Sequence, residues 1–397
     1  MDAPSGGPAG PALALNVTSG AEHQRGSRLR PGCHKELYMA CRANLYIYLI
    51  IEEVVMSNKQ VSGGRRSSRK KRPSSKGNFG KGRQLGYAVK QALDDYYSRV
   101  SHYSTRATHK KRALTFVHFC RRRGVEDARD IDREFVMSFG QYVRQRIGGE
   151  YLWPDGAVDA QLSVAYAHNM ISTANVIMRA FRGDNALKIS GKEVLGVCRK
   201  SVRTREIQAD VVDAKDAADR AIVAGFERGS AVILMARAWG MRVREAILAD
   251  LDRMMREIKK TGEAAILEGC KGGRKSRDRR IQTNEFRMEA LRFAIEVRPK
   301  GSKNLLSETD TVKRFLLREI NPCRLILKRA GVPTFQELRA GFAQDIYEEI
   351  LEGPSPLKQP IRDKVMDRIA RAEVSRQLGH NRISVASSYI GGVRHAA

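Results

Sequence analysis

The spacing of apolar residues along the chain is the feature that most restricts its fold. From residue 84 onward, apolar side chains recur every three or four positions, and glycines such as the Gly148-Gly149 pair end these segments. This period predicts amphipathic α-helices. One stretch, EAAILEGCKGGRKSRDRRIQ at 263–282, instead shows two short extended runs around Gly272-Gly273, which predict a β-hairpin. We therefore predict a mainly α chain with one small antiparallel sheet.

The length of 397 residues is enough for two ordinary domains, each with its own core. Residues 84–202 carry four or five short predicted helices with Lys and Arg on their polar faces, which indicates an all-α domain. Residues 203–214 alternate in charge and are predicted to be a linker. Residues 215–392 form the second, mixed domain that contains the hairpin, and 393–397 a short tail.

The N-terminal region, 1–83, is predicted to be a disordered basic extension, because it is rich in Gly, Pro, Ala and Ser and lacks periodicity. Its composition leaves open whether 1–55 belong to the natural protein. The run at 62–83 has nine Lys or Arg and no acidic residue. It fits a solvated linker, a nuclear-import signal, or an arm that follows DNA phosphates. In the last interpretation the DNA-binding residues are Arg65, Arg66, Lys70 and Lys71.

The net charge is +28, from 72 Lys and Arg against 44 Asp and Glu, and the pI is about 10.2. Such an excess indicates a polyanionic partner, and double-stranded DNA is the first candidate. The longest apolar run, LYIYLII at 45–51, is too short to span a bilayer. Six scattered cysteines without zinc-site spacing indicate reduced thiols. We expect a cytoplasmic protein with no membrane association, no metal site and no cofactor.

Two local features of the second domain place basic side chains at a helix start and in a hairpin turn. In AWGMRVREAILADLD at 238–252, Gly240 breaks one helix and Arg242 starts the next, which is predicted to run through 244–260; Glu245 follows three residues after Arg242. The hairpin turn has no apolar or acidic residue from 271 to 277 and can approach a DNA backbone. The candidate site residues in this turn are Lys271, Arg274 and Lys275.

Two further features follow in the same domain. In PTFQELRAGFAQDIY at 333–347, Thr334 is a predicted helix cap with Glu337 three residues later, and Arg339 lies in the first turns, where anions are favoured. In LGHNRISVASSYIGG at 378–392, a helix ends near Gly379 and Tyr389 follows His380 by nine residues across a turn. Each of the four features, taken singly, also fits an ordinary structural role.

Together the four features supply the residue types that a metal-free phosphodiester transesterification requires. Two guanidiniums can neutralise the charge of a pentacovalent phosphorane, and a lysine can protonate the departing 5′ oxygen. A histidine can hydrogen-bond a phosphate oxygen. A tyrosine, whose ordinary pKa is about 10, becomes a nucleophile when cations stabilise its phenolate. Its ester conserves the energy of the phosphodiester, so ATP is not needed.

The order Arg242–Lys271–Arg339–His380–Tyr389 resembles that of the tyrosine recombinase (phage integrase) family. GMRVREA resembles the first-arginine box, QELRAGFA the His-x-x-Arg box, and LGHNRIS with Tyr389 the Leu-Gly-His box and its nucleophile. The resemblance covers about 215–392, and the helical segment ahead of it resembles the core-binding domain of that family. It implies that family's fold, an α-helical core-binding domain followed by an α-rich mixed catalytic domain.

The resemblance also implies a role for each residue. Tyr389 would attack the scissile phosphate and form a 3′-phosphotyrosyl bond, Arg242 and Arg339 would hold that phosphate, and Lys271 would be the general acid, with Lys275 as the alternative. His380 would hydrogen-bond the phosphate. Glu245 would orient the site.

The implied activity is site-specific integration or excision of a prophage or other mobile element, without metal or ATP. The protein would act as a homotetramer on double-stranded attachment sites near the bacterial nucleoid, with accessory DNA-bending proteins as further partners. Two departures bear on this. Gln336 replaces the histidine of the His-x-x-Arg box, and the segment 351–370 lengthens the interval between Arg339 and His380. The alternatives are a non-catalytic DNA-binding protein, which Gln336 favours, and a type IB topoisomerase.

Overall fold

A computed structural model of the chain describes residues 77–98, 102–271, 278–380 and 382–392. Helices account for most of these residues, which confirms the mainly α prediction. None of the described helices is long and apolar enough to cross a membrane. Several residues predicted to bind DNA lie outside the described residues, so their roles stay predictions: Arg65, Arg66, Lys70, Lys71, Arg274 and Lys275.

The described residues contain two separate apolar cores, one between Leu85 and Leu195 and one between Ala209 and Ile390. The first core is built on helices and includes a cluster of aromatic rings, in which the ring centroid of Phe119 lies 5.0 Å from that of Tyr142 and 5.4 Å from that of Phe139. Its helices are α1 (Leu85–Tyr97), α2 (Tyr103–Arg122), α3 (Arg133–Gly148), α4 (Val164–Arg182) and α5 (Gly191–Leu195).

The first core also contains a pair of two-residue strands that the sequence pattern did not predict. The strands β1 (Tyr151–Leu152) and β2 (Val158–Asp159) pair antiparallel. Asp159 Oδ2 accepts hydrogen bonds from Trp153 Nε1 at 2.7 Å and Tyr142 Oη at 2.6 Å. Side-chain hydrogen bonds therefore support this turn, and two residues are too few for a period of two to be recognised.

The second core surrounds a helix that is buried on every side, α7 (Glu227–Ala238). This helix packs against α6 (Val211–Val223), α10 (Glu285–Val297) and α13 (Phe335–Leu351). A π turn at Leu316–Ile320 joins the helices Val312–Phe315 and Asn321–Arg329, and a 3₁₀ turn at Ile383–Ala386 precedes the last helix. The other helices of this core are α8 (Val243–Leu248), α9 (Leu251–Thr261), α11 (Val312–Phe315), α12 (Asn321–Arg329), α14 (Lys364–Gln377) and α15 (Ser387–Ile390).

The predicted hairpin is present as β3 (Glu263–Ala265) and β4 (Arg280–Gln282), paired antiparallel with Ala264 opposite Ile281. The single helix predicted over 244–260 is wrong. The chain breaks at Ala249, and Asp250 Oδ1 accepts from the Arg253 backbone N–H at 2.9 Å, so that α9 starts with its own cap. Capping thus outweighs the apolar period here.

Gly240, between α7 and α8, has a positive φ of +57°, and a Cβ there would lie 2.3 Å from Phe342 Cδ1. We predict that Gly240→Ala lowers the free energy of unfolding by about 2–4 kcal/mol, from left-handed strain and overpacking together. Urea denaturation of the full chain measures this change. The matched control is Gly262→Ala, at φ +73° with nothing within 4 Å, where about 1 kcal/mol is expected. Equal losses in the two variants would contradict the packing argument.

Candidate functional site

The hydroxyl of Tyr389 lies between two of the residues that the sequence motifs selected. Its Oη is 3.2 Å from His380 Nε2, and Arg339 Nε donates to it at 3.4 Å. Tyr389 is only 5% exposed, and its ring lies against the Arg339 guanidinium, with 5.8 Å between Cζ and the ring centroid. Residues separated by 50 positions in the chain are therefore in contact.

The turn before the last helix explains why His380 and Tyr389 converge. The helix α14 ends at Gln377, and the His380 backbone N–H donates to the Ser375 carbonyl at 2.8 Å. Ser375 Oγ then donates to the carbonyls of His380 and Arg382, at 3.1 and 3.0 Å. One buried hydroxyl thus folds the turn back on the helix and directs the following residues toward His380.

Glu245 is the buried centre of the site. It is fully buried. Its carboxylate accepts hydrogen bonds from Arg242 Nη1 at 2.6 Å and from Arg279 at 3.0–3.1 Å, and it forms an ion pair with Arg339 Nη1 at 3.6 Å. Burial by itself raises the pKa of Glu245, but the charges of Arg279, Arg339 and Arg242 outweigh it and hold the pKa below its ordinary value. The group is therefore an ionised carboxylate bridging three guanidiniums.

Arg279, the residue directly before β4, is a site residue that the motif analysis missed. It is 1% exposed, and its Nε donates to the Gln377 carbonyl at 2.8 Å, while Nη2 donates to the Gly240 carbonyl at 3.3 Å. A signal was present in the sequence, because Arg279 is two positions from the buried Ile281 and alternation along a strand places both on one face. Arg277 and Arg280 lie close to Arg279 in the sequence, so the pattern alone did not indicate which arginine belongs to the site.

Arg339 is fixed by backbone oxygens as well as by charge. Its Nη1 donates to the Gly240 carbonyl and its Nη2 to the Leu378 carbonyl, so it joins the α7–α8 corner to the end of α14. Burial, followed by repulsion from Arg279, lowers the pKa of Arg339 to about 10. The guanidinium is still charged at neutral pH. Arg339 is only 1% exposed, and the ring of Tyr389 lies against its guanidinium.

The hairpin lies against this cluster at its base. Gly269 has a φ of +68°, and a Cβ there would lie 2.5 Å from the Arg244 carbonyl oxygen, so the chain after β3 touches the backbone of α8. Burial raises the pKa of the next residue, Cys270, and the carboxylate of Glu245 raises it further. Lys271 follows and is exposed. Its neighbours Arg274 and Lys275 lie outside the described residues.

Two other predicted residues differ in their relation to the cluster. The side chain of Arg242 is 26% exposed, so it belongs to the cluster and also faces solvent. Gln336 lies in the first turn of α13, is exposed, and makes no described hydrogen bond to the other site residues. Within the described ranges, no group of three His, Cys, Asp or Glu side chains is placed to hold a metal ion.

The charges of the site favour an anion. Three guanidiniums and one carboxylate leave a formal charge of 3 − 1 = +2 in the group Arg242, Arg279, Arg339 and Glu245. Burial, and then the charges of Arg339, Arg242 and Arg279, lower the pKa of His380 to about 4, so the imidazole is neutral at pH 7. A phosphate diester entering beside Arg242 would meet uncompensated positive charge and a neutral imidazole with a ring nitrogen for hydrogen bonding.

Comparisons with known proteins give structural likeness without sequence likeness. No protein-family model matches the chain, and no curated protein matches it. Similar solved structures are the Tn1549 transposon integrase in complex with circular intermediate DNA (10% identity, TM-score 0.49, 78% of this chain and 96% of that one), XerA recombinase (15%, 0.31, 77% and 93%), and a lambda integrase dimer bound to a COC′ core site (17%, 0.46, 86% and 85%).

These three structures are integrases or recombinases, the class that the motifs indicate. At TM-scores below 0.5 the likeness carries no argument about activity. The function therefore rests on the geometry of the site itself.

We predict that His380 does not titrate between pH 8 and about 5.5 and has a midpoint near 4. Since the unfolded chain binds this proton near pH 6.5, the contribution of His380 to stability declines as the pH falls from 6.5 toward 4. Proton NMR of the imidazole measures the midpoint, and the spectrum of His380→Gln assigns the resonance. A midpoint above 6 would contradict the burial of this ring beside the three guanidiniums.

Proposed function

We propose that the chain is a tyrosine recombinase that cleaves and rejoins double-stranded DNA through Tyr389. The observation that carries the proposal is the placement of Tyr389 Oη within hydrogen-bonding distance of both His380 Nε2 and Arg339 Nε, over a buried group with a charge of +2. A tyrosine that only filled the core would need neither contact.

In the proposed first step, Tyr389 Oη attacks the scissile phosphorus. A bond forms between Oη and phosphorus, and the bond from phosphorus to the 5′ oxygen breaks, which leaves a 3′-phosphotyrosyl ester and a free 5′ strand. The phenolic proton passes from Tyr389 to water, and the 5′ oxygen takes a proton from a lysine of the hairpin. Attack by a 5′ hydroxyl of another strand reverses these changes. The phosphoryl energy is conserved, so the step requires neither ATP nor a redox partner.

The site residues stabilise this transfer in three ways. Arg242 and Arg339 neutralise the non-bridging oxygens, whose charge increases in the phosphorane. His380, neutral at pH 7, hydrogen-bonds a phosphate oxygen. Glu245, together with Arg279, holds the two arginines in fixed positions before DNA arrives, which reduces the reorganisation needed during the reaction.

The free protein is in a closed arrangement with respect to this reaction. Tyr389 covers Arg339, and its hydroxyl occupies a position that suits a phosphate oxygen. A scissile phosphate must therefore enter from the side of Arg242, whose side chain is partly exposed, and displace the hydroxyl by a small side-chain rotation. Binding of the phosphate and release of the nucleophile are then one event.

The biological setting proposed is integration or excision of a prophage or related mobile element, in the cytoplasm at the nucleoid. The charge of +28 supports DNA as the partner. The helical unit around the first core would contact the duplex as a core-binding domain, and the unit around the second core would carry the chemistry. Four copies would act on two DNA sites, assisted by DNA-bending proteins.

We predict that Tyr389→Phe retains salt-sensitive DNA binding and forms no covalent adduct, because the phenolic oxygen is the nucleophile. Randomly nicked genomic DNA from cells that carry the element is incubated with the full chain, and DNA that stays attached in SDS is quantified and sequenced. Arg339→Ala is expected to lose most of the adduct rate.

The same assay separates the alternatives. DNA binding without an adduct in the wild type would support the non-catalytic alternative that Gln336 favours. Relaxation of a plasmid that lacks any captured site would support a type IB topoisomerase instead.

The general acid is Lys271 or Lys275, and we predict that Lys271 has this role because the chain before it touches α8 beside Glu245. Lys271→Ala should reduce cleavage of a duplex made from the captured site. A duplex with sulfur in place of the bridging 5′ oxygen should restore it, since a thiolate leaves without a proton. Lys275→Ala is the matched control and should cleave both duplexes normally. Rescue of Lys275→Ala instead would transfer the role to that residue.

A further inference from the structure

The helix that carries Tyr389 has only four residues, Ser387–Ile390, and so short a helix cannot hold its own conformation. Its apolar side, through Ile390, is fully buried in the second core. Apolar burial fixes how deep a segment sits but is not directional, so it does not fix the rotation and height of a single turn. Directional contacts are needed to place the Tyr389 hydroxyl.

A single guanidinium binds both ends of this helix. Arg371 Nη1 donates to Ser387 Oγ at 3.1 Å and to the Gly391 carbonyl oxygen at 3.0 Å. Ser387 is the first residue of the helix and Gly391 directly follows its last. Arg371 is 4% exposed, so these hydrogen bonds form in a buried setting where water does not compete with them.

Arg371 is itself held rigidly by two core helices. Its Nε lies 2.8 and 2.9 Å from the two carboxylate oxygens of Asp367, one turn earlier on α14. The hydroxyl of Tyr347, on α13, donates to Asp367 Oδ1 at 2.5 Å. Arg371, on α14, is therefore linked through Asp367 to α13, the helix that carries Arg339.

Two other segments reach the same short helix. Leu357, from the predicted insertion 351–370, lies against Gly391, where a Cβ would be 2.8 Å from Leu357 Cδ2 and φ is +90°. The Arg203 backbone N–H donates to the Ser387 carbonyl at 2.9 Å. Both act on residues at the helix ends and not on the Tyr389 side chain.

We propose that Arg371 is a positioning residue for the nucleophile: by binding Ser387 and Gly391 together, it holds the helix backbone so that Tyr389 reaches a phosphate by side-chain rotation alone. This inference rests on the proposed function. Arg371 does not touch the site of chemistry, and none of the sequence motifs includes it. Its effect on the reaction is through the backbone of α15.

The first test is hydrogen exchange of the DNA-free full chain carrying Arg371→Lys. A lysine keeps a positive charge beside Asp367, but its single nitrogen cannot replace both Nε, which binds Asp367, and Nη1, which binds Ser387 and Gly391. Amides of 386–392 should exchange about 10- to 100-fold faster, the effect of losing hydrogen bonds to a charged group, while those of α13 stay unchanged. The control is Arg368→Lys, an exposed position on the same helix. Unchanged exchange at 386–392 overturns the inference.

The second test is the rate of covalent adduct formation at saturating concentrations of the DNA that the wild type captures. Arg371→Lys should lower this rate about 10-fold or more, with the half-saturating DNA concentration changed less than about twofold. Ser387→Ala removes one of the two acceptors without disturbing the buried ion pair, and should give a smaller loss. In the double variant, Ser387→Ala should add little, because the bond it removes is already gone.

Three outcomes of the rate test would overturn the inference. The rate could be unchanged in Arg371→Lys, it could rise, which would make Arg371 a restraint on the nucleophile, or DNA binding could weaken in proportion to the rate. Absence of any adduct in the wild type would instead refute the proposed function, and the exchange measurement would still decide whether Arg371 fixes α15.

Discussion

The ion cluster around Glu245 is the constraint on which the rest of the second core's helices depend. A carboxylate removed from water is costly unless its charge is compensated, and here three guanidiniums approach it. Each arginine also belongs to, or binds, a different element: Arg242 caps α8, Arg279 directly precedes β4 and binds the end of α14, and Arg339, on α13, binds Gly240 and Leu378. Burying one carboxylate thus fixes the relative positions of four elements.

The same cluster would give the site affinity for a phosphate under the proposed function. Three positive charges against one negative charge leave an excess that no other residue of the group cancels. In the free protein the hydroxyl of Tyr389 lies beside this positively charged group, in contact with Arg339 and with the neutral His380. A phosphate that replaces the hydroxyl would satisfy the excess charge and expose the nucleophile together, which couples recognition of DNA to readiness for reaction. Such coupling keeps the nucleophile covered away from its substrate.

The element types followed from local pattern, and the errors had local causes. The helical period predicted a mainly α chain and the extended runs predicted the hairpin, both of which are observed. The break at Asp250 was missed because a side-chain cap can interrupt a continuous apolar period. The β1–β2 pair was missed because its strands have two residues each. The apolar periodicity of a sequence therefore shows little of a helix boundary that a single side-chain hydrogen bond sets.

By itself the sequence determined the helical architecture, the basic character and the residue types at five positions, because these depend on side-chain chemistry and short spacings. The tertiary structure decided which of the many arginines are buried, and so selected Arg279, beside Glu245, and Arg371, beside Asp367 and the last helix. The physical reason is that each of the two arginines binds residues that are distant in the chain or lie on another element, so that only the folded core determines its partners.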